Sequence, residues 1–213
     1  MYKRQTELEE VRQGKVYVQD VSMQYMLDQL NYPFQAKALH IGGISGAILT
    51  NIASKLLAKH GTVEGMYSNE KRYRRSNYLL ARSWIKNAKC YLGGLSLTKT
   101  YCSYEDYDLV IVTPPNSYLG QIQRKPDIPL TLTKEDMKTI IAKEKEYLEE
   151  ASKFVLKDGI LVYAVRSVNL KEGKNIIDEF LKKHEDFALV DSRQIYPYEF
   201  NSDGLYYAQI RKL

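Results

Sequence analysis

The chain has 213 residues and a formal net charge of +5, with hydrophobic residues at 44% and charged residues at 27%. This composition is that of a globular domain with a sizeable core, and it excludes a disordered chain. No apolar run of about 18 residues is present and the start has no signal-peptide core, so we expect no membrane span and a cytoplasmic protein. The positive charge favours a polyanionic partner.

Cysteine usage excludes two further classes. Cys90 and Cys102 form neither a zinc-ligand pattern nor a disulfide framework, and we therefore predict no metal site. The 18 tyrosines favour either half-buried packing or stacking on unpaired bases.

Strand-like and helix-like segments alternate along the chain, which predicts an α/β fold with a mostly parallel sheet and helices on both faces. Strands are predicted over residues 15–19, 36–41, 62–66, 107–112, 160–165, 187–195 and 205–212. Helices are predicted over residues 20–30, 47–59, 70–87, 134–156 and 170–184.

Local signals support this assignment. Asp20 or Ser22 is predicted to cap the first helix, and Thr133 with Asp136 resembles a capping box. The last two strands are expected to pair as an antiparallel hairpin. No linker or repeat divides the sequence, so we predict a single domain over residues 1–213, with an N-terminal strand and helix within residues 1–30.

A glycine-rich turn joins the strand over residues 36–41 to its helix. Gly42, Ile44 and Gly46 have the spacing of a nucleotide-binding turn, in which glycines let the backbone approach a ligand. The middle glycine is missing and no Walker lysine follows, so we expect no phosphate-binding P-loop. A nucleotide-binding turn and a plain tight turn both stay open.

Several segments match, in order, the motifs of one enzyme family. They cover residues 14–20, 107–120, 124–128, 158–163 and 203–208, and they resemble the Sun family of RNA cytosine-5 methyltransferases. Residues 113–120, Thr-Pro-Pro-Asn-Ser-Tyr-Leu-Gly, are similar to that family's Asp-Ala-Pro-Cys-Ser-Gly-x-Gly loop. The resemblance implies a Rossmann-like class I methyltransferase fold with a seven-stranded sheet, S-adenosylmethionine as cofactor, and rRNA or tRNA as partner.

The catalytic positions that the resemblance implies are changed in this chain. A family cysteine in the proline loop attacks carbon 6 of cytosine, and its position matches Asn116. A second cysteine, in a Thr-Cys-Ser motif, matches Arg166, and the acid that opens the proline loop matches Thr113. Neither asparagine nor arginine can form a thioether, so the resemblance implies that cytosine-5 chemistry is lost.

The cofactor side departs from the family as well. The aspartate and the lysine of the family's glycine turn match His40 and Ile48, and the acid that takes the ribose hydroxyls matches Tyr67. Each lost charge-assisted hydrogen bond is worth about 1.5–3 kcal/mol. We expect Gly42, Gly46 and Tyr67 to mark the cofactor region, weak or absent S-adenosylmethionine binding, and a buried, hydrogen-bonded His40.

Basic residues near the expected substrate cleft predict where RNA would bind. The predicted RNA-contacting residues are Arg72, Arg74, Arg75, Arg124, Lys125 and Arg166. A solvated helix face is the alternative for Arg72, Arg74 and Arg75. For Arg166, phosphate binding and an ion pair within the protein are equal alternatives.

Two function classes stay open, and with them whether the chain is an enzyme. The first is a non-catalytic RNA-binding or ribosome-assembly relative of the methyltransferases. The second is an active methyltransferase with cysteine-independent chemistry, since residues 113–116 are superficially similar to the Asn-Pro-Pro-Tyr loop of amino-methyltransferases. About 13 residues precede Gly14, where the family usually carries an N-terminal RNA-recognition region, so we expect either the basic surface of the core or a protein partner to select the RNA.

Overall fold

A computed structural model describes residues 7–43 and 46–213. Its centre is a seven-stranded sheet in the order β3-β2-β1-β4-β5-β7-β6. The strands are β1 (Lys37–Gly42), β2 (Thr62–Tyr67), β3 (Ala88–Leu92), β4 (Tyr107–Thr113), β5 (Val155–Val165), β6 (Phe187–Ile195) and β7 (Leu205–Lys212). Within this sheet β7 runs opposite to the other six strands. The predicted mostly parallel sheet with an antiparallel C-terminal hairpin is confirmed.

Helices cover both faces of the sheet. In the described residues they are α1 (Glu9–Arg12), α2 (Val21–Asp28), α3 (Ala47–Leu57), α4 (Glu70–Arg82), α5 (Thr98–Tyr101), α6 (Ile128–Thr131), α7 (Lys134–Ser152), α8 (Lys174–Lys183) and α9 (Pro197–Phe200). Side chains alternate along a strand, so Ile111 of β4 packs into the core under α2 and α3, while Val110 packs into the core under α7 and α8.

The predicted helix caps are present. The Ser22 backbone N–H donates to Asp20 Oδ1 at 3.2 Å, and Thr133 and Asp136 form a reciprocal capping box at the start of α7. No helix in the described parts of the chain is long and apolar enough to cross a membrane.

Three secondary-structure predictions are wrong. The helix predicted over residues 134–156 ends at Ser152, and residues 155 and 156 already belong to β5. Residues 15–19 pair with no strand; they lie against α3, where Asn51 Nδ2 donates to Gln19 Oε1 at 3.0 Å. The helix predicted over residues 70–87 ends at Arg82, and the chain then forms β3, which the sequence pattern did not predict. β3 is a five-residue edge strand with no fully buried residue, so it lacks the apolar run that marks the central strands.

Candidate functional site

The carboxyl ends of β1, β2, β4 and β5 meet at one edge of the sheet, where open α/β sheets bind their ligands. A cleft of about 500 Å³, including its open mouth, lies at this edge. The cleft is lined by Met23, Gly42, Gly43, Ile48, Ser68, Arg72, Thr113, Pro114, Pro115, Asn116, Tyr118, Tyr147, Ala164 and Arg166.

The cleft gathers residues that are far apart in sequence. Thr113, Asn116 and Arg166, at the three positions matched to family catalytic residues, line it together with Gly42 and Arg72. The predicted cofactor residues Gly46 and Tyr67 are not among its lining residues. Tyr67 is fully buried, with its ring edge-on to His40, and the next residue, Ser68, reaches the cleft instead.

Packing of the neighbouring elements requires glycines in this turn, independently of any ligand. Gly42 has φ +98°, and a Cβ there would lie 2.3 Å from the carbonyl oxygen of Thr113 on β4. A Cβ on Gly46, which has φ +70°, would lie 2.6 Å from Ser76 Oγ on α4. Both glycines therefore let neighbouring elements approach closely. Ile44 and Ser45 of the predicted turn lie outside the described residues.

His40 and Thr113 occupy two positions where the family motifs carry acids, and they contact each other. His40 Nε2 and Thr113 Oγ1 share a hydrogen bond of 3.0 Å. Burial lowers the pKa of His40 to about 4, so the ring is neutral near pH 7. The predicted buried, hydrogen-bonded histidine is confirmed, and the pair brings no negative charge to the cleft.

Asn116 is held by its own turn. Its Nδ2 donates to the Pro114 carbonyl oxygen at 3.1 Å, and the Tyr118 backbone N–H donates to its Oδ1 at 3.0 Å. These two bonds are typical of an asparagine that stabilises a turn, and they support Tyr118 at φ +59°. The side chain at the matched nucleophile position thus supports the loop conformation.

A buried polar cluster lies directly behind Asn116 and Arg166. We call Ser117, Ser167 and Glu172 the serine–glutamate network. The fully buried Glu172 carboxylate accepts from the Ser117 backbone N–H at 2.8 Å, from Ser117 Oγ at 2.7 Å and from Ser167 Oγ at 2.6 Å. The network ties the loop after β4 to the loop after β5.

Glu144 of α7 lies beside this network and is also fully buried. Burial, and secondarily the charge of Glu172, raise the pKa of Glu144 to about 10, so this carboxyl keeps its proton at neutral pH. Sequence reasoning missed both glutamates. A signal existed for Glu144, because it shares the buried face of α7 with Leu148 and Ala151, at helical spacing.

The predicted RNA-contacting residues divide by their partners. Arg124 donates from Nε to Asp203 Oδ1 at 2.9 Å and from Nη2 to Asp20 Oδ2 at 3.3 Å, and the bond to Asp203 is the main reason that its pKa is raised. Arg74 pairs with Glu70 at 2.7 Å. Both guanidinium groups therefore have an acid partner, and each is less available to phosphate than the sequence indicated.

The other four basic residues have no acid partner among the described residues. Lys125 Nζ lies 5.7 Å from the centre of the Tyr118 ring, and Arg75 is exposed on α4. Arg72 and Arg166 both line the cleft and are half-buried. Of the six predicted residues, Arg72 and Arg166 are the two that the fold places inside the cleft.

Both cysteines lie away from the cleft. Cys90 is on β3, and Cys102 follows α5 in a buried position. Burial raises the pKa of Cys90 to about 12 and that of Cys102 to about 11. Because the thiolate is the nucleophilic form, neither residue is suited to attack a substrate.

The strand order, the antiparallel seventh strand and the cleft at the carboxyl ends of β1, β2, β4 and β5 define a class I, Rossmann-like methyltransferase fold. Residues 43–211 match the family model described as 16S rRNA methyltransferase RsmB/F. The chain belongs to this family, and the resemblance to the Sun family is confirmed.

Curated relatives carry the same family name. Ribosomal RNA small subunit methyltransferase B of Serratia proteamaculans is 27% identical over 98% of this chain and 49% of its own length. The protein of that name from Yersinia enterocolitica is 28% identical over 93% of this chain and 47% of its own length. The chain spans about half the length of these relatives.

Solved structures agree on the fold. A crystal structure of NSun6 from Pyrococcus horikoshii with SFG aligns with a TM-score of 0.87 at 18% identity, covering 99% of this chain and 56% of that chain. A methyltransferase homolog protein from Pyrococcus horikoshii aligns with a TM-score of 0.84 at 20% identity, covering 99% of this chain and 72% of that chain.

Proposed function

We propose that this chain is an RNA-binding member of the RsmB/F family that has lost cytosine-5 methylation and acts as an RNA-binding or ribosome-assembly factor. The observation that carries the proposal is the composition of the cleft. Asn116 and Arg166 stand at the two cysteine positions, and no thiol is among the lining residues that the structure describes. Without a thiolate in the cleft, no thioether to carbon 6 of a cytosine can form.

The charges of the cleft also fit S-adenosylmethionine poorly. This cofactor carries a sulfonium cation and an ammonium group, which are stabilised by nearby acids. No aspartate or glutamate is among the described lining residues, and the charged side chains there are Arg72 and Arg166. Like charges in one cleft disfavour binding, so we propose that the cofactor binds weakly or not at all.

The substrate class follows from the family. The relatives are named as methyltransferases of small-subunit ribosomal RNA, and we propose an rRNA or tRNA as the RNA bound here, within the cytoplasm. We further propose that residues 1–213 act as one domain.

Calorimetry tests the proposal against the alternative of a methyltransferase with cysteine-independent chemistry. Titration with S-adenosylmethionine and S-adenosylhomocysteine should show no binding in the low micromolar range, which corresponds to about −8 kcal/mol. A dissociation constant of that size would favour the altered enzyme. In parallel, bisulfite sequencing of RNA incubated with protein and cofactor should detect no 5-methylcytosine.

RNA binding is tested through its dependence on salt. Each phosphate contact to a single strand contributes roughly 0.7 to the slope of log affinity against log salt concentration. Arg124 has acid partners, so the Lys125→Ala substitution should flatten the slope more than Arg124→Ala does. Failure of the wild-type chain to bind RNA at low salt would overturn the proposed function.

A further inference from the structure

Arg72 and Arg166 are brought together by the fold. Arg72 is in the first turn of α4 after β2, and Arg166 directly follows β5, on the other side of β1 and β4 in the sheet. Both side chains line the same cleft and are half-buried. The guanidinium of Arg72 also lies close enough to Tyr147 for its charge to act on that phenol.

Neither guanidinium group has a hydrogen bond or an ion pair with any described residue, which distinguishes them from Arg124 with its two aspartates. A half-buried cation without a partner loses part of its hydration and gains nothing in return. The two arginines are the only charged residues among the described lining residues, so the cleft carries positive charge and no acid there. An anion that accepts hydrogen bonds from both would relieve this cost, because guanidinium groups bind phosphate in a planar, two-pronged geometry.

The remaining lining residues fit a nucleoside attached to that anion. Tyr118 and Tyr147 offer aromatic rings, and Pro114 and Pro115 offer apolar ring faces at the same cleft. Aromatic side chains stack on unpaired bases without requiring a particular base.

We propose that this cleft is a nucleotide-phosphate site, in which Arg72 and Arg166 together hold the phosphate and the neighbouring tyrosines contact the base. The arginine at the position of a family cysteine thereby turns a site for covalent chemistry into one for anion recognition. This inference rests on the proposed function for its biological ligand, an unpaired nucleotide of an RNA. The same chemistry would also accept a free nucleotide, and the experiment separates the two.

Calorimetry with cytidine 5′-monophosphate, cytidine and a short single-stranded RNA that lacks terminal phosphates tests the proposal. The monophosphate should bind at least tenfold more tightly than cytidine. Arg72→Gln and Arg166→Gln should each weaken monophosphate binding about tenfold to a hundredfold, which is the loss expected for a charge-assisted contact. Arg166→Lys should give an intermediate loss, because it keeps the charge but not the planar donor pair.

The matched control is Arg211→Gln. Arg211 is an exposed residue near the end of β7, on the side of the sheet opposite the carboxyl ends that form the cleft. The substitution should leave monophosphate affinity unchanged, and circular dichroism should show that all variants fold. Equal binding of cytidine and its monophosphate, or equal losses in Arg211→Gln and Arg166→Gln, would overturn the proposed site.

The RNA titration distinguishes this inference from the proposed function. If the monophosphate binds through both arginines but RNA does not bind, the site stands as one for free nucleotides and the RNA-binding function fails. If RNA binds with the same affinity to wild type and Arg166→Gln, and the monophosphate does not bind, the function stands and the site is overturned. Binding of both ligands, weakened by both substitutions, supports both.

Discussion

The residues that line the cleft and the buried residues directly behind them differ in how closely they match the family motifs. Asn116 and Arg166 line the cleft, at the positions that the sequence motifs match to the family's cysteines. Their immediate neighbours, Ser117 and Ser167, match the serine that follows each cysteine in the family motifs, and both bind Glu172. The positions matched to the reactive cysteines carry other residue types in this chain, whereas the two serines beside them are those of the family motifs.

Burial limits which residues can be substituted in the supporting network, whereas it does not limit the residues that line the cleft in the same way. The serine–glutamate network is buried, so removing one member leaves a polar group without a partner, and the fold loses stability. A residue that lines an open cleft is free of this burial constraint, although Asn116 also stabilises its own turn through two hydrogen bonds. A member of this family that lost its nucleophiles, as we propose for this chain, would therefore still keep the shape of the site.

Glu172→Ala is expected to have the largest effect, because it removes the acceptor shared by three buried donors. The free energy of unfolding should fall by about 4 kcal/mol, as measured by urea denaturation at pH 7. The control is Glu179→Ala on α8, whose carboxylate pairs with Lys145 at the surface and should cost less than about 1 kcal/mol. Similar losses in the two variants would contradict the supporting role of the network.

His40 should make the stability depend on pH. Burial lowers its pKa from 6.5 to about 4, so between these values the unfolded chain binds a proton that the folded chain does not. The stability that comes from keeping His40 neutral is fully present above pH 6.5. It is lost as the pH falls towards 4, and the free energy of unfolding then decreases by about 3 kcal/mol in total. Urea denaturation at a series of pH values should show a shallower loss in His40→Asn. If the dependence of stability on pH is unchanged in that variant, other titrating groups cause the loss of stability at low pH.

The ion pair of Arg124 should contribute less, because the guanidinium is largely exposed while Asp203 is buried. Arg124→Ala is expected to lower the free energy of unfolding by about 1–2 kcal/mol, since it leaves Asp203 without its cation. Arg74→Ala, which removes an exposed pair within α4, serves as the control and should cost less than about 0.5 kcal/mol. If Arg124→Ala lowers the free energy of unfolding no more than the control does, Arg124 is again among the residues that are available to bind RNA.

The smallest effect, on the formation of 5-methylcytosine, is expected from placing cysteines at the two matched positions. The Asn116→Cys, Arg166→Cys double variant should still make no 5-methylcytosine, because His40, Thr113 and Tyr67 continue to replace the family's acids. Bisulfite sequencing of RNA incubated with the variant and S-adenosylmethionine provides the measurement. A methylated cytosine would show that the loss of function is confined to the two cysteine positions.

The sequence by itself determined the fold class and the family. Buried strands such as β4 are continuous apolar runs, and the ordered motifs identified the family and matched Asn116 and Arg166 to its two cysteine positions without any structure. Such features are local, or depend on the order of segments. β3 was missed because an edge strand with half-exposed side chains has no comparable apolar pattern.

Only the tertiary structure decided what the polar residues do. His40 and Thr113 are 73 residues apart, Ser117 and Glu172 are 55 apart, and Arg124 and Asp203 are 79 apart. Pairing at such distances depends on how the sheet brings strand ends together, which no local pattern encodes. For the same reason the sequence could not separate Arg124, whose charge is balanced within the protein, from Arg72 and Arg166, whose charges face the cleft without a partner among the described residues.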